Sequence, residues 1–389
     1  MKKYWILALT IGFVTFGTTV YSQDDETSKS QLNPIVTGVP SLTIAPDARG
    51  GGMGDIGAAT TPDVNSQYWN PAKYAFMKSN VGLSLSYTPW LRKLVNDISL
   101  TYVSGYYKLN DLEAISASLR YFSLGKIDIT DETGYTLYDV SPYEASFDVA
   151  YSRKLSENFS GSVAMRVIYS DMQVEDFASA SAFAADIAAY YTKPIALENG
   201  MEGSFSLGLN ASNIGTKISY SQESTNFLPT NLRLGGSYYY PFDSYNSLSF
   251  NMDLNKFMVP TRPMQKDGEE DADFQKRIDD YNNMSPIKGI FTSFGDAPNG
   301  MKEELQEVGI SVGAEYNYNN QFFARGGYFY ENENKGNRKY YSMGAGFKMN
   351  VLRLDVSYLI STAQSNPLDQ TLRFSLSFDL EGLRSLTAR

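Results

Sequence analysis

A two-residue alternation of apolar and polar side chains recurs along most of this chain, from about residue 81 to residue 380. The first segment places Val81, Leu83, Leu85 and Tyr87 on one face, with glycine and serine between them. Alternation of this kind predicts β-strands with two chemically different faces. About fourteen such segments are present, whereas after residue 23 no apolar run approaches the roughly 18 to 20 residues of a membrane-spanning helix.

The face opposite the apolar side chains is polar and carries charges of both signs. Its charged residues are Glu144, Asp148, Arg166, Asp186, Arg233, Asp253, Glu315, Arg325, Arg353, Asp355, Arg373 and Asp379. A soluble β-sandwich also has alternating strands, but so many charges on one face fit a water-filled lumen better than a packed core. The sequence therefore predicts an all-β fold, an antiparallel transmembrane β-barrel of about fourteen strands. The same rule assigns Ile98, Leu100 and Tyr102 to the lipid face of the second strand.

The connections between the predicted strands alternate in length, as they do in outer-membrane barrels with long external loops and short periplasmic turns. Short connections lie at 109–111, 156–158, 241–246, 318–321 and 349–350. Long connections lie at 88–95, 125–141, 170–181, 212–229, 255–306, 331–338 and 361–370. The connection at 192–203 is longer than its place predicts. The parity of strands puts both the N-terminal region and the C-terminus in the periplasm.

The first residues have the pattern of an export signal. Lys2 and Lys3 precede an apolar stretch at 5–16, and small or modest residues precede a cut near Gln23. The alternative is a retained membrane anchor, but the polar stretch that follows contains no stop-transfer pattern. We therefore expect a signal peptide at 1–23, a plug at 24–79 and the barrel at 80–389, located in the outer membrane.

Residues 41–77 are rich in Gly, Ala, Asp and Asn and have no sustained period of 2 or 3.6. This composition predicts a compact plug around which the strands close. Gly52, Gly54 and Gly57 match the G-x-G-x-x-G spacing of dinucleotide loops, but no strand precedes them and Pro62 interrupts the helix that should follow. Close backbone packing is the better interpretation. The plug residues singled out are Asp47, Arg49, Gly52, Gly54, Asn70 and Pro71.

Composition removes several classes of function. The chain contains no His and no Cys, which rules out His-dependent catalytic triads and the usual zinc sites. Its net charge of -10 argues against nucleic-acid binding. The lumen carboxylates and arginines could support acid–base catalysis, but salt bridges that brace barrel and plug are more typical. We therefore expect no enzymatic activity, no catalytic residue, no cofactor and no metal.

The longest connection, 255–306, is predicted to be extracellular and to contain a short helix at 266–283. Phe274, Ile278 and Tyr281 fall at i, i+4 and i+7, which indicates an amphipathic helix over the barrel mouth. Carboxylates at its start, Asp267, Glu269, Glu270, Asp271 and Asp273, do not follow calcium-loop spacing and fit a solvated helix start better. A turn follows at 294–298.

Apolar groups on such a loop indicate a contact surface for a partner or for the barrel rim. The candidate contact residues are Phe274, Ile278, Tyr281, Phe294, Asp296, Pro298 and Met301. For Ile290 and Phe291, packing onto the protein itself is nearly as good an interpretation.

Three sequence runs resemble one family: LPTNLRLGGSYYYPF from Leu228, LNKFMVPTRP from Leu254 and SFGDAPNGMKEELQEVGISVGAEY from Ser293. With the plug segment, they look like the PorV (LptO) family of the type IX secretion system, which is similar to FadL-type fourteen-stranded barrels with an N-terminal hatch. The resemblance implies a non-enzymatic protein that binds the C-terminal signal domain of cargo. It would receive cargo from the SprA-type translocon and pass it to the PorU sortase attachment complex, which joins cargo to lipopolysaccharide in the outer-membrane lipids.

Two alternatives stay open at this point. A FadL-like transporter of hydrophobic solutes would need a continuous apolar path from the outer loops to a gap in the wall. A lipopolysaccharide deacylase, suggested by the name LptO, would need an activated Ser or a carboxylate pair at the lipid-facing rim.

Overall fold

The computed structural model describes residues 33–92, 95, 97–173, 179–220, 225–266, 268–362 and 368–379. The predicted signal peptide at 1–23 lies outside these residues, and so do residues 380–389.

Eighteen strands account for most of the described chain. In chain order they are β1 (Val81–Pro89), β2 (Ser99–Lys108), β3 (Glu113–Ser123), β4 (Ile127–Thr130), β5 (Thr136–Val140), β6 (Tyr143–Lys154), β7 (Phe159–Asp171), β8 (Ala180–Ala196), β9 (Glu202–Gly215), β10 (Ile218–Ser219), β11 (Thr225–Asn226), β12 (Asn231–Pro241), β13 (Asn246–Phe257), β14 (Gly309–Tyr318), β15 (Phe322–Tyr330), β16 (Lys339–Met349), β17 (Leu352–Ser361) and β18 (Leu372–Asp379).

Fourteen of these strands form a closed antiparallel barrel, which confirms the predicted fold class. Each strand pairs with its neighbour in the chain, and β1 closes the barrel by pairing with β18, for example Leu85 with Leu376. The other four strands form two small hairpins, β4–β5 and β10–β11, within long connections. Closure removes free strand edges, as a barrel in lipid requires.

The helices are short. They are α1 (Ala48–Gly51), α2 (Ser66–Trp69), α3 (Asp271–Asn282), α4 (Pro286–Thr292) and α5 (Met301–Gln306), with 3-10 helices at Pro40–Thr43, Pro71–Phe76 and Glu333–Lys335. In the part of the chain that the structure describes, none of the helices is sufficiently long and apolar to span a membrane.

The alternation assigned the faces of most strands correctly. In β1, Leu83, Leu85 and Tyr87 are exposed on the outside, while Ser84 and Ser86 are fully buried inside. The charged residues predicted for the inner face do lie inside the barrel. These assignments follow from the two-residue period of a strand, in which one residue of shift would reverse every side chain.

The face prediction for the second strand is wrong. Leu100 and Tyr102 of β2 are buried inside, and Val103, which pairs with the lipid-facing Leu85, lies on the outer face. The reason is that the lumen beside β2 is not filled with water. Tyr106 of the same inner face stacks on Tyr74 of the N-terminal segment, with 5.1 Å between ring centroids. Apolar side chains therefore pack inward on this strand as well.

The connection predicted at 192–203 is shorter than the sequence indicated. Strand β8 continues through Pro194 to Ala196, and β9 begins at Glu202. The remaining turn is closed by the backbone N–H of Leu197, which donates to the carbonyl of Met201 at 3.0 Å. The Thr-Lys-Pro run has the composition of a turn, but here it extends the strand. With this correction, long and short connections alternate without exception, which defines a long-connection end and a short-turn end of the barrel.

Residues 33–79, called here the N-terminal segment, pass through the barrel from one end to the other. At the long-connection end the backbone N–H of Asn33 donates to the carbonyl of Asn334 at 2.9 Å, and that of Gly38 donates to the carbonyl of Phe227 at 2.8 Å. At the short-turn end the Ser160 hydroxyl donates to the carbonyl of Ala72 at 2.7 Å. The segment then leaves the lumen and continues into β1.

The two ends of the described chain consequently lie at opposite ends of the barrel. Asn33 lies at the long-connection end, whereas Asp379, which pairs with Gly82, lies at the short-turn end. Strand parity alone predicted both terminal regions on one side. A segment that crosses the lumen adds one more passage, which strand counting does not detect.

Candidate functional site

Arg49 of α1 fixes the N-terminal segment to the barrel wall. Its guanidinium forms ion pairs with Asp63 of the same segment at 2.6 Å and with Glu315 of β14 at 2.8 Å. It also donates to the carbonyl of Thr61 at 2.8 Å. The three charged side chains are largely buried, so the geometry has to satisfy nearly all of their hydrogen-bonding capacity.

Asp47 begins α1 as its N-cap residue. One carboxylate oxygen accepts from the backbone N–H of Gly50 at 2.9 Å, and the other accepts from the indole N–H of Trp69 at 2.5 Å. A cap of this kind satisfies a free donor at the helix start, and the second bond ties α1 to α2.

Asn70 and Pro71 hold the part of the N-terminal segment near the short-turn end. The Asn70 side-chain amide donates to the carbonyls of Ala58 and Ala189, both at 2.9 Å, and its oxygen accepts from the backbone N–H of Ala72 at 3.1 Å. Pro71 starts a 3-10 helix, and its carbonyl accepts from the Ser152 hydroxyl at 2.8 Å. These two residues connect the segment to the wall through backbone carbonyls.

The glycines at 52–57 allow the segment to touch the wall with its backbone. Gly54 has a φ of +82°, and a Cβ there would lie 2.8 Å from the Tyr328 carbonyl oxygen. The barrel wall also has a glycine at this contact, since a Cβ on Gly327 would lie 2.0 Å from the Met53 carbonyl carbon. The structure thus shows the close backbone packing that the sequence analysis favoured for this motif. The inward-facing wall glycine was missed, although an isolated glycine within a strand is a known signal of close approach.

Many charged residues of the inner face form a network of buried ion pairs. Glu315 accepts from Arg325 at 2.6 Å, and Arg325 in turn pairs with Asp355 at 2.7 Å. On the other side, Arg166 pairs with Asp148 at 3.0 Å and with Asp186 at 2.8 Å. At Glu315, Arg325 and Asp355 the N-terminal segment occupies the lumen, so the prediction of a water-filled lumen is wrong there, whereas Asp148 and Arg166 line a small cavity beside the segment. The expected bracing of barrel and plug by salt bridges is observed.

The helix predicted at 266–283 is α3, which begins five residues later than expected. Tyr281 is buried and packs edge-to-face on Phe227, with 5.4 Å between ring centroids. Phe274 and Ile278 are half-buried. Tyr281 therefore belongs to the internal packing of the long-connection end, and a partner cannot reach it without moving α3.

The predicted acidic helix start is only partly solvated, and Glu270, the N-cap residue of α3, makes no side-chain capping bond. Glu269 accepts from Arg277 at 2.5 Å, and bonds from this arginine and from the Lys266 backbone lower the pKa of the Glu269 carboxyl. Asp267 lies outside the described residues. Across the described ranges, no group of acidic residues is arranged to hold a metal ion.

Helix α5 lies with its charged side inward. Glu303, Glu304 and Glu307 are buried, although they are carboxylates on a surface loop. Two lysines from other elements hold them. Lys256 at the end of β13 pairs with Glu304 at 3.1 Å and Glu307 at 2.5 Å.

Lys335 completes this arrangement from the connection between β15 and β16. It pairs with Glu303 at 2.5 Å and with Glu307 at 3.1 Å. Burial opposes ionisation of Glu303, but the bonds from Lys335 and Asn299 outweigh it and hold its pKa below the usual value. The acidic side of α5 is thus anchored to the barrel rim at several points.

The apolar side of α5 consequently faces solvent. Met301 is 70% exposed and Leu305, one turn further, is 68% exposed. In α4, Phe291 is 75% exposed. We call the exposed apolar side chains of this connection the loop patch; they are Ile287, Phe291, Phe294, Met301 and Leu305.

Sequence reasoning identified Phe294 and Met301 of the loop patch but missed Ile287 and Leu305. Their i, i+4 spacing to Phe291 and Met301 is the signal that could have found them. Phe291 was left undecided, and the structure places it outward. Pro298 is exposed as well.

Asp296 lies beneath the patch. Its carboxylate accepts from the backbone N–H of Thr261 at 2.9 Å. Burial and the charges of Glu304 and Glu307 raise its pKa to about 6, against the opposing effect of the Thr261 bond. Asp296 therefore holds the loop internally rather than presenting a charge to a partner.

Comparison with known families decides where this architecture belongs. The family described as "Type IX secretion system protein PorV" matches residues 27–264, which is more than half of the chain. The chain belongs to the PorV family. It is therefore an integral outer-membrane component of the type IX secretion system. A search of curated proteins gives no match.

Among solved structures, this PorV-family protein is similar in fold to several hydrocarbon-channel barrels. The Ralstonia pickettii toluene transporter TbuX has 11% identity and a TM-score of 0.45, covering 86% of this chain and 97% of that chain. The Pseudomonas putida toluene transporter TodX has 10% identity and a TM-score of 0.46, covering 89% and 98%. A Pseudomonas aeruginosa FadL homologue has 11% identity and a TM-score of 0.41, covering 89% and 99%.

Proposed function

We propose that this PorV-family protein binds the C-terminal signal domain of secreted cargo and carries it from the SprA-type translocon to the PorU sortase attachment complex. The observation that carries the proposal is the inverted helix α5, whose carboxylates are buried and whose Met301 and Leu305 face solvent. A surface helix in a protein without a partner has the opposite arrangement.

The energetics support a docking role for the loop patch. Exposed large apolar side chains are retained at the surface when a partner covers them, and a patch of this kind marks an interaction site. Fully burying one Leu, Met or Phe side chain contributes about 1.5 to 3 kcal/mol. Burial of two or three of the patch residues therefore contributes enough free energy to determine whether the partner binds. The ion pairs of α5 hold these residues in place, which reduces the entropy lost on docking.

In this proposal the long-connection end faces the cell exterior and the short-turn end faces the periplasm, as in other outer-membrane barrels. Cargo that has crossed the membrane then meets the loop patch directly. Solute transport gains no support from the described lumen, because buried ion pairs such as Arg49–Glu315 cross it where an apolar path would be needed.

The test replaces Phe291, Met301 and Leu305 together by Ser. Because these side chains are exposed, the barrel should assemble normally and show unchanged heat-modifiable migration in gels. Recovery of the cargo signal domain in pull-downs from detergent extracts should fall by about tenfold or more, the equivalent of at least 1.4 kcal/mol. This set is sharper than Phe274, Ile278 and Tyr281, whose replacement also disturbs internal packing.

A matched control lies on another long connection. Ile127 and Leu137 of the β4–β5 hairpin are also exposed apolar residues, and their replacement by Ser should leave cargo recovery unchanged. Recovery of the translocon is measured in the same extracts, which separates loss of cargo from loss of the translocon. Undiminished cargo attachment at the cell surface in the triple variant would refute the loop patch. Loss in the hairpin variant alone would assign recognition to 125–141.

A further inference from the structure

A cavity of about 70 Å³ lies between the N-terminal segment and the barrel wall. It reaches from mid-barrel, at Arg166, to residues of the long-connection end such as Glu307 and Arg338. Charged and aromatic side chains line much of it. The proposed function does not use this cavity.

Most charged groups that line the cavity are already paired. Asp148 pairs with Arg166, Glu331 with Arg338 at 2.6 Å, Glu307 with Lys256 and Lys335, and Asp55 with Arg373 at 3.4 Å. Two lining arginines, Arg120 of β3 and Arg233 of β12, form no ion pair with any described residue. Asp253 acts on Arg233, and Glu144 and Asp148 act on Arg120, through space without a direct ion pair. The cavity therefore has two guanidinium charges that no carboxylate of the described chain contacts directly.

Both arginines keep a donor free. Arg120 is 3% exposed and uses one terminal nitrogen to donate to the carbonyls of Ser41 and Ile44, while its other terminal nitrogen is buried without an acceptor. Arg233 is 9% exposed and donates through its Nε to the Asn255 side-chain oxygen at 2.6 Å, while one terminal nitrogen is likewise buried without an acceptor. Leaving such charged donors unsatisfied in a buried site is costly.

The Tyr68 ring contacts both guanidiniums. The Tyr68 ring centroid lies 5.1 Å from the guanidinium carbon of Arg120 and 5.4 Å from that of Arg233. Arg233 also lies over the Trp69 ring at 4.5 Å. Cation–π contacts position the cations without neutralising them. The site is thus built in advance, with two positive charges beside one ring.

We propose that Arg120 and Arg233 form a binding site for a small oxyanion, a phosphate or carboxylate group, inside the barrel. The guanidinium fork matches both groups through paired hydrogen bonds. A free anion entering from the long-connection end is the committed ligand, since the strands that carry the arginines belong to a closed wall. The proposal is independent of the loop patch.

The experiment uses the exported protein, from which the predicted signal peptide with Trp5 has been removed, purified in a non-ionic detergent at constant ionic strength. Inorganic phosphate and acetate are titrated separately by equilibrium dialysis, with Trp69 emission in a Trp90→Phe background as a second readout. We expect saturable binding of at least one of them. Arg233→Gln and Arg120→Gln should each weaken it by about tenfold or more, the cost of one charge-assisted hydrogen bond.

Arg277→Gln is the matched control, since this arginine lies on α3 and pairs with Glu269 away from the cavity. It should bind as the unchanged protein does. Heat-modifiable migration in gels checks that each variant assembles. If Arg120→Gln does not assemble because its bonds to the N-terminal segment are lost, the binding measured for Arg233→Gln and Arg233→Lys tests the proposal. Absence of saturable binding of both anions to the unchanged protein would overturn the proposal. Equal binding in Arg233→Gln would overturn it too, by showing that the anion binds elsewhere.

Discussion

Replacing Arg49 by Met should loosen the whole N-terminal segment. The change removes the partner of two buried carboxylates, Asp63 and Glu315, with which Arg49 pairs at 2.6 and 2.8 Å. Removing one member of a buried ion pair costs about 3 to 5 kcal/mol. The lower value applies here, because Glu315 keeps its bond from Arg325 at 2.6 Å. Asp63 has no comparable replacement among its ion pairs in the described chain.

Amide hydrogen exchange measures this effect directly. If residues 39–76 open as one unit, a loss of about 3 kcal/mol accelerates their exchange about 100-fold, since 1.4 kcal/mol corresponds to a factor of ten. The double variant Arg49→Met, Asp63→Asn removes the orphaned charge and should recover at least half of the loss in free energy. Conductance in planar bilayers should rise in the single variant, because the segment fills the lumen.

The control is Arg277→Met, which breaks a half-exposed ion pair on α3 and should change exchange in residues 39–76 by nothing measurable. If Arg49→Met leaves exchange in the segment unchanged while the barrel is assembled, the buried ion pairs do not hold the segment. If the double variant is worse than the single one, the orphaned-charge argument fails.

Three further predictions follow from the same contacts. Leu234→Arg, facing lipid in β12, should destabilise the barrel by about 2 to 4 kcal/mol, whereas Leu155→Arg in a short turn should cost about 0 to 1 kcal/mol; equal losses in denaturant titrations in lipid vesicles would contradict the facing assignment. The pKa of Asp296 is raised to about 6, so the stability that its protonated form contributes is lost as pH rises through 6. Amides of the 258–308 connection should therefore exchange more slowly at pH 5 than at pH 7, after correction for intrinsic rates. Asp296→Asn should remove this difference. Deleting 41–70 should leave an assembled barrel of higher conductance, and an unchanged conductance would count against a plug.

The fold was predictable because lipid imposes one rule on every strand. A residue that faces lipid has to be apolar, so the orientation of Leu83 or Phe250 can be predicted from the local sequence alone. The inner face has no such rule. Leu100 and Tyr102 could not be placed by alternation, because their neighbours are residues of the N-terminal segment that lie far away in sequence.

The orientation of α5 illustrates the same limit at the candidate site. Its sequence shows an acidic side and an apolar side, and the ordinary expectation buries the apolar one. Lys256 and Lys335, which reverse the helix, come from strand β13 and from the connection between β15 and β16, and they cannot be associated with it from spacing. Phe294 and Met301 were found because any exposed apolar group on a loop is conspicuous, whereas Leu305 required knowledge of the reversal.

The path of the N-terminal segment has a consequence for how the molecule is made. The segment runs through the lumen before β1, and β1 pairs with the last strand, β18. Pairing of β1 with β18 therefore closes the barrel around the N-terminal segment, which has to lie in the lumen by then. A chaperone or insertase that keeps β1 and β18 unpaired until residues 33–79 have folded into the lumen would yield the native molecule. Earlier pairing of β1 with β18 would leave the N-terminal segment outside the barrel.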